Sequence, residues 1–429
     1  MATIKREKEL PGVANGSDDG GGKRQCTHAV ATTAVPIKQE PEETKNETNG
    51  GSRNTTNNNN NKQQQPVVTN SPNQQNGEND ALPTSIELSK EFCRIVDTDK
   101  YSRAEAIGTL IKLNQWLLKN DANFLKYFHF HGGIIKVLDF VTATMNDVNC
   151  TGNIRFDCIK HAAAVIRFVV SSEAVETNNY DTILKILASA VNYGGLDILI
   201  NASEEYTGGD DISALNALST VWFALANIYE FDYIGIYELD LENEIMKEKA
   251  NAVVETGIDV LSHLKLASIT DASSAVLGYI FRTFKCIAYK SYVTKDYIET
   301  NNCISKCLDV FKKNDGTWKD NKNFERPAQH AITFFDCCHF RQRLLNGDAD
   351  YEQIFSFCAF VLNNFGTNKI IRVIGISFLK ASFLIVRDKN IIKRSGCMGA
   401  LGSLLGSNEI NEYEKRKIGA LIGKIATFK

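Results

Sequence analysis

The chain has 429 residues, with 48 Lys and Arg against 51 Asp and Glu and a formal net charge of −3 at pH 7. This near balance lacks the positive footprint of nucleic-acid-binding proteins, so no nucleic acid is expected as a partner. No run of apolar residues is long enough to span a bilayer, and the first ten residues lack an apolar signal core. We therefore expect no membrane association, and we expect the 11 cysteines to be reduced thiols in the cytoplasm, the nucleus or both.

The N-terminal part of the chain differs in composition from the rest. Residues 1–82 contain no Phe, Tyr or Trp, and six of the seven prolines lie at or before Pro83. Residues 54–80 read NTTNNNNNKQQQPVVTNSPNQQNGEND, which is polar and of low complexity. Such a segment buries too little apolar surface to offset the entropy lost on ordering. The sequence predicts a disordered, Asn- and Gln-rich tail over residues 1–84.

One short motif in this tail suggests a modification. The segment VPIKQEPEE (35–43) matches the pattern aliphatic–Lys–x–Glu that accepts a small ubiquitin-like modifier. Lys38 would be the acceptor, with Ile37 as the aliphatic residue and Glu40 as the acidic one. Lys38 is therefore a candidate modification site, and chance occurrence of so short a pattern is the alternative.

Residues 85–429 contain a single proline, Pro327. Proline disrupts the interior of a helix, so a long segment with so little of it is typical of an all-helical domain. Glycine-led segments recur within it: HGGIIKVLDF (131–140), YGGLDILINA (193–202) and ETGIDVLSHL (255–264). Gly133, Gly195 and Gly257 follow one another at intervals of 62 residues. We predict a repeat in which glycine forms a sharp corner between two helices and the next helix packs closely against it.

Longer amphipathic segments alternate with these glycine corners. In DISALNALSTVWFALANIYE (211–230), the residues Leu218, Val221, Leu225 and Ile228 recur every three or four positions. This is the period of a helix with one apolar face, and we expect these four side chains to be buried. Later openings are less regular, with Cys303 at the expected glycine position of NCISKCLDVF (302–311).

The unit resembles the armadillo repeat, in which a short first helix, a glycine corner and a second helix precede a third helix with a W-A-L-x-N-[IL] core. Residues 188–228 show this order, and ALANI (224–228) is similar to the end of that core, with Trp222 displaced by one residue and Phe223 in its place. The resemblance implies an all-α fold, a right-handed superhelical α-solenoid of about seven degenerate armadillo-like repeats over residues 85–429.

The resemblance also implies a binding surface. In armadillo proteins the third helices line a concave groove that receives extended peptides, and in the nuclear-import members its Trp and Asn ladders hold basic signals. Here one Asn and no Trp fall at the equivalent positions, which argues against basic signals. The candidate groove residues Arg167, Phe223, Asn227 and Arg282 are expected to be solvent-accessible on one surface. Arg167 and Arg282 favour an acidic or phosphorylated ligand over a basic one, if this surface binds at all, and ordinary solvated side chains are the alternative.

The leading functional hypothesis is a non-catalytic protein-interaction scaffold that binds a protein or peptide segment and requires no cofactor or metal. A degenerate nuclear-transport-type adaptor is the first alternative. The second is a metal-binding protein or enzyme centred on the segment HAITFFDCCHF (330–340), where His330, Cys337, Cys338 and His339 are candidate ligands. Buried cysteines that pack as small apolar residues explain the same segment more simply.

Overall fold

The computed structural model describes residues 85–427, except for 97–101, 119–121, 171–179, 207, 209–210, 234–239, 265–269, 291–296, 298–300, 313–320, 341–347 and 387. The predicted tail over residues 1–84, including Lys38, lies outside the described residues. The described part contains α-helices and one short 3₁₀ helix, Lys322–Phe324, and no strand. The predicted all-α class is therefore confirmed for this part of the chain.

The helices are, in chain order, α1 (Ser85–Val96), α2 (Arg103–Leu117), α3 (Ala122–Phe130), α4 (Gly133–Asn146), α5 (Gly152–Val169), α6 (Tyr180–Asn192), α7 (Gly195–Glu204), α8 (Ile212–Tyr233), α9 (Asp240–His263), α10 (Asp271–Lys290), α11 (Cys303–Lys312), α12 (Glu325–Phe340), α13 (Asp348–Phe365), α14 (Lys369–Ile385), α15 (Asn390–Arg394), α16 (Cys397–Gly406) and α17 (Glu412–Thr427).

The helices follow the predicted order of a three-helix repeat. The first, second and third helices are separate in α3–α4–α5 and in α6–α7–α8. Each third helix packs against the third helix of the neighbouring units, so that α2, α5, α8, α10, α12, α14 and α17 form a continuous ladder. These are seven third helices within the described residues, which agrees with the predicted number of repeats. Contacts of this kind between neighbours are what stabilise a solenoid.

Two of the corners contain a pair of adjacent glycines, and the two glycines of each pair have different structural roles. Gly132 and Gly194 adopt left-handed conformations with φ of 65° and 84°, which residues with a Cβ rarely adopt. The glycine that follows begins the second helix and allows close approach, because a Cβ on Gly195 would lie 2.6 Å from the carbonyl oxygen of Ala190. The chain bends by 63° between α6 and α7 as a result. The predicted glycine corner is confirmed at both positions.

The corner prediction was wrong at Gly257. This glycine lies inside the continuous helix α9, and its φ is not positive. A Cβ there would lie 2.6 Å from Cζ of Phe284 and 2.9 Å from Cη2 of Trp222, so its role is to make room for two large rings. At the next corner the left-handed residue is Asn302, with φ of 51°, and Cys303 starts α11 behind it. Asparagine is the residue other than glycine that best tolerates this conformation.

The core lies between successive layers of helices. Leu218, Val221, Leu225 and Ile228 of α8 are all at most 2% exposed, which confirms the predicted apolar face. Trp222 is also fully buried. The segment Ile212–Glu230 has the length and mean hydropathy of a membrane span, and 67% of it is buried inside the structure, as in the core helix of a helical stack.

Candidate interaction surface

Four side chains from four successive third helices form a continuous stack. The guanidinium of Arg167 (α5) lies 3.8 Å from the ring centroid of Phe223 (α8). Phe223 stacks on Tyr279 (α10) with centroids 4.1 Å apart and an interplanar angle of 16°. The guanidinium of Arg326 (α12) lies 5.5 Å from the ring of Tyr279. We call these four residues the Arg–aromatic row, and it joins four repeats along one surface.

An ion pair lies next to the row, between residues that follow Phe223 in α8 and Tyr279 in α10. Arg282 of α10 is paired with the carboxylate of Glu230 of α8, and the Arg282 guanidinium also lies 5.3 Å from the ring of Phe223. Lys285 Nζ is 4.0 Å from the same carboxylate. Only 11% of the Arg282 side chain and 21% of the Glu230 side chain are exposed. This largely buried ion pair therefore joins α8 to α10.

The balance of charge at this surface is positive. Arg167, Arg282, Lys285 and Arg326 carry four positive charges, and the carboxylate of Glu230 lies against Arg282 and Lys285. Behind them lies His330 on α12, whose Nε2 is buried without a hydrogen-bond partner in the described structure. Burial, together with Lys285, Arg282 and Arg326, lowers the pKa of His330 to about 3, so its ring adds no charge at neutral pH.

The accessibility expected for Asn227 was wrong. Asn227 is 3% exposed, and its Nδ2 donates a hydrogen bond to the backbone carbonyl oxygen of Arg167 at 2.9 Å. The expectation failed because α8 is packed on both sides, by α5 and α10, which leaves only a narrow strip of the helix open. The amide of Asn227 therefore holds the neighbouring helix instead of a ligand backbone. Asn114 of α2 does the same, donating to the carbonyl oxygen of His161 at 3.1 Å.

The other candidate groove residues lie on a common surface, but they are only partly exposed. Arg167, Phe223 and Arg282 are all half-buried, because each packs against another member of this surface. The sequence interpretation missed Tyr279 and Arg326. Tyr279 precedes Arg282 by one helical turn, and this spacing was the signal that could have identified it. Arg326 was missed because it precedes Pro327, the single proline of this domain, although helix α12 begins at Glu325.

The occupancy of the aromatic rings limits what this surface can bind. One face of Phe223 contacts Arg167 and the other contacts Tyr279. The guanidinium of Arg326 lies over the ring of Tyr279, 5.5 Å from its centroid. A basic side chain or a nucleic-acid base needs an open ring face for cation–π contact or stacking. The protein's own arginines fill those positions here, so the row presents guanidinium groups to a ligand.

The Cys- and His-rich segment of α12 packs into the core. Cys338 is fully buried and Cys337 is 9% exposed. Burial raises the pKa of the Cys338 thiol well above its usual value, which is the reverse of what a nucleophile or metal ligand requires. Among the described residues no group of three or more His, Cys, Asp or Glu side chains is arranged to hold a metal ion, and the His339 side chain lies outside that set.

A second concave region lies on other helices than the row. It has a volume of about 860 Å³ and opens between α7, α9 and α11. Its charged lining consists of Glu204, Glu255, Asp259, Asp309 and Lys306. The lining of this cavity is net acidic, so its charge is opposite to that of the cations of the Arg–aromatic row.

Comparisons with known proteins assign no function to this chain. No protein-family model matches the chain, and no curated protein is similar enough to count as a match. Among solved structures, the chain is similar to a designed armadillo repeat protein in complex with the peptide (KR)4. The identity is 13%, the alignment covers 80% of this chain and 100% of the designed chain, and the TM-score is 0.36. The repeats of this chain are therefore described from its own helix order and packing.

Proposed function

We propose that this protein is a non-catalytic interaction scaffold that binds an acidic segment of a partner protein along the Arg–aromatic row. The observation that carries the proposal is the unbroken stack from Arg167 through Phe223 and Tyr279 to Arg326. It extends over four repeats on a partly open surface. A solenoid offers such an extended surface because each repeat adds one helix to the same face.

Charge favours an acidic partner. Arg167, Arg282, Lys285 and Arg326 place four cationic side chains on this surface, and Glu230 lies against two of them, Arg282 and Lys285. The planar guanidinium group donates paired hydrogen bonds to carboxylates, and its stacking on an aromatic ring holds it in one orientation. Arg167 and Arg326 at the two ends of the row are therefore preorganised to receive carboxylate groups.

A peptide suits the row better than a nucleic acid or a basic import signal. Both of those ligands would use the open faces of aromatic rings, whereas Phe223 and Tyr279 stack on each other and already have Arg167 and Arg326 over their rings. The transport-adaptor hypothesis is therefore the second candidate. The enzyme hypothesis also ranks lower, because burial of Cys338 keeps its thiol protonated. We expect the partner to meet the chain in the cytoplasm or nucleus, an expectation based on the cysteine content alone.

The experiment is a binding titration with the full chain and two fluorescent probes, a short poly-Glu peptide and the peptide (KR)4. We expect the poly-Glu probe to bind and to weaken as salt is raised, because the contacts are ionic. Arg167→Gln and Arg326→Gln should each weaken binding on the order of tenfold, the loss of one charge-assisted contact. Lys380→Gln, at an exposed position of α14, is the matched control and should have no effect.

Two results would contradict the proposal. Poly-Glu binding that survives both arginine substitutions would place the acidic ligand elsewhere. A (KR)4 peptide that binds tightly and loses affinity on Phe223→Ala would show that the rings are open to basic side chains. Tight (KR)4 binding that is lost instead on Asp259→Asn would show that (KR)4 binds in the acidic cavity between α7, α9 and α11. In that case the poly-Glu titrations alone would test the proposal.

A further inference from the structure

A cleft at the end of the Arg–aromatic row is shaped for a small anionic group. It lies where the first turns of α10 face the start of α12, and its volume is about 250 Å³. Tyr279 and Arg326, the last two members of the row, line it, so the cleft continues the same surface. Gly278 lacks a side chain at the wall opposite Pro327, which keeps the cleft open.

Two cations stand in this cleft at a spacing of one helical turn. Lys322 and Arg326 both line it and are both exposed, and neither forms an ion pair with a described residue. The one carboxylate of the lining is Asp271, in the first turn of α10. The floor is rigid, because the Ser274 hydroxyl donates to the backbone carbonyl oxygen of Asn323 and so fixes α10 to the 3₁₀ helix.

We propose that this cleft receives a phosphorylated serine or threonine of the bound segment, held by Lys322 and Arg326. A phosphoryl group carries a charge of about −1.5 to −2 at neutral pH and three acceptor oxygens. It therefore matches two cations in one small space, whereas a carboxylate matches only one. Lysine and arginine donors at fixed positions are the usual means by which proteins recognise phosphate.

The geometry of the row also limits the separation between the acidic residue and the phosphorylated residue of the ligand. The distances between successive members of the row place the guanidinium groups of Arg167 and Arg326 at most about 13 Å apart. An extended peptide covers this distance with about four residues. A segment that places an acidic residue on Arg167 therefore places its phosphorylated residue in the cleft at most about four positions along. This proposal depends on the proposed function, because it assumes that the segment lies along the row.

The test compares three peptides that differ at one position. A short Glu-rich peptide carries Ser, Glu or phosphoserine at its centre, and each is titrated against the full chain. We expect phosphoserine to bind on the order of tenfold more tightly than Ser, with Glu in between, as one added charge-assisted contact predicts. In Lys322→Gln/Arg326→Gln this advantage should disappear. In Asp271→Asn it should increase, because the opposing carboxylate is removed. Lys380→Gln is again the control.

Arg167→Gln separates this inference from the proposed function. It should weaken all three peptides by a similar factor and leave the advantage of phosphoserine unchanged. Peptides that bind equally well with Ser and phosphoserine would overturn the phosphate site and leave the acidic-segment proposal in place. A phosphoserine advantage that persists in Lys322→Gln/Arg326→Gln would overturn it as well. Binding of inorganic phosphate or single-stranded RNA at this cleft that is tighter than binding of the phosphopeptide would show that the ligand is not a peptide.

Discussion

Asn227 of α8 donates a hydrogen bond from its side chain to the backbone carbonyl oxygen of Arg167, 60 positions earlier in the chain, at 2.9 Å. Arg167 lies in the last turn of α5, where backbone carbonyls lack partners within their own helix. The contact therefore satisfies a helix terminus and ties the third helices of two repeats together. It also sets the position of Arg167, whose guanidinium begins the Arg–aromatic row.

We predict that Asn227→Ala destabilises the fold. The substitution leaves the carbonyl of Arg167 without this donor in a buried place, which costs on the order of 1–3 kcal/mol. Chemical denaturation of the variant and of the parent protein measures the difference. Asn216→Ala, at an exposed position of the same helix, is the control and should change the free energy of unfolding by less than about 0.5 kcal/mol. Equal stability of the two variants would show that the hydrogen bond contributes nothing.

Helical periodicity predicted the fold well, and it predicted the site only in part. The spacing of Leu218, Val221, Leu225 and Ile228 identifies a buried face, because the period of a helix determines which residues share a side. Periodicity does not say how many sides of a helix are covered. That depends on both neighbouring third helices, and their contacts with α8 bury Asn227 as well.

The Arg–aromatic row depends on how neighbouring third helices are aligned with each other, and the sequence of one helix does not determine that alignment. Tyr279 of α10 stacks on Phe223 of α8, and this pairing is set by the packing between repeats. Gly257 shows the same limit in the core. Its sequence context matches a corner, but the reason for a glycine there is the space taken by the Trp222 and Phe284 rings from neighbouring helices.

The second prediction concerns the left-handed corner. Gly194→Ala should cost about 1–2 kcal/mol in the free energy of unfolding, because alanine is strained at a φ of 84°. Gly108→Ala is the matched control, since Gly108 lies within α2 and a Cβ there meets no atom within 4 Å. Alanine within a helix should stabilise the protein by roughly 0.5–1 kcal/mol. Thermal unfolding of the two variants should therefore shift in opposite directions, and shifts of the same sign would contradict the assignment of the corner.

The third prediction concerns His330, which Arg282, Lys285 and Arg326 surround with positive charge. Its pKa is lowered to about 3 in the fold, from 6.5 in a free side chain, chiefly by burial. The unfolded chain therefore takes up the proton first, so stability contributed by the neutral ring is complete above pH 6.5 and is lost as the pH falls. His330→Phe removes this loss. Between pH 7 and pH 5 the parent protein should lose about 2 kcal/mol relative to the variant. Parallel stability profiles would contradict the lowered pKa.

The last prediction concerns Asp336 on the same helix, where the sign is opposite. Burial raises the pKa of this carboxyl group to about 6 from 3.8, and its Oδ1 is buried without a hydrogen-bond partner in the described structure. The folded chain therefore holds the proton more tightly than the unfolded chain does. The resulting stability is complete below pH 3.8 and is lost as the pH rises towards 6.

Asp336→Asn keeps the shape of the side chain and cannot ionise, so it should match the parent protein near pH 4 and exceed it at pH 7. Because the group is partly solvated, we expect a gain on the order of 1 kcal/mol. Denaturant titrations of both proteins at each pH give the difference, in which the contribution of His330 cancels. Asp259→Asn, whose side chain is 69% exposed in the parent protein, is the control and should show no such trend. A difference that stays constant from pH 4 to pH 7 would mean that Asp336 titrates alike in the folded and unfolded chains, and that its buried oxygen does not hold the proton.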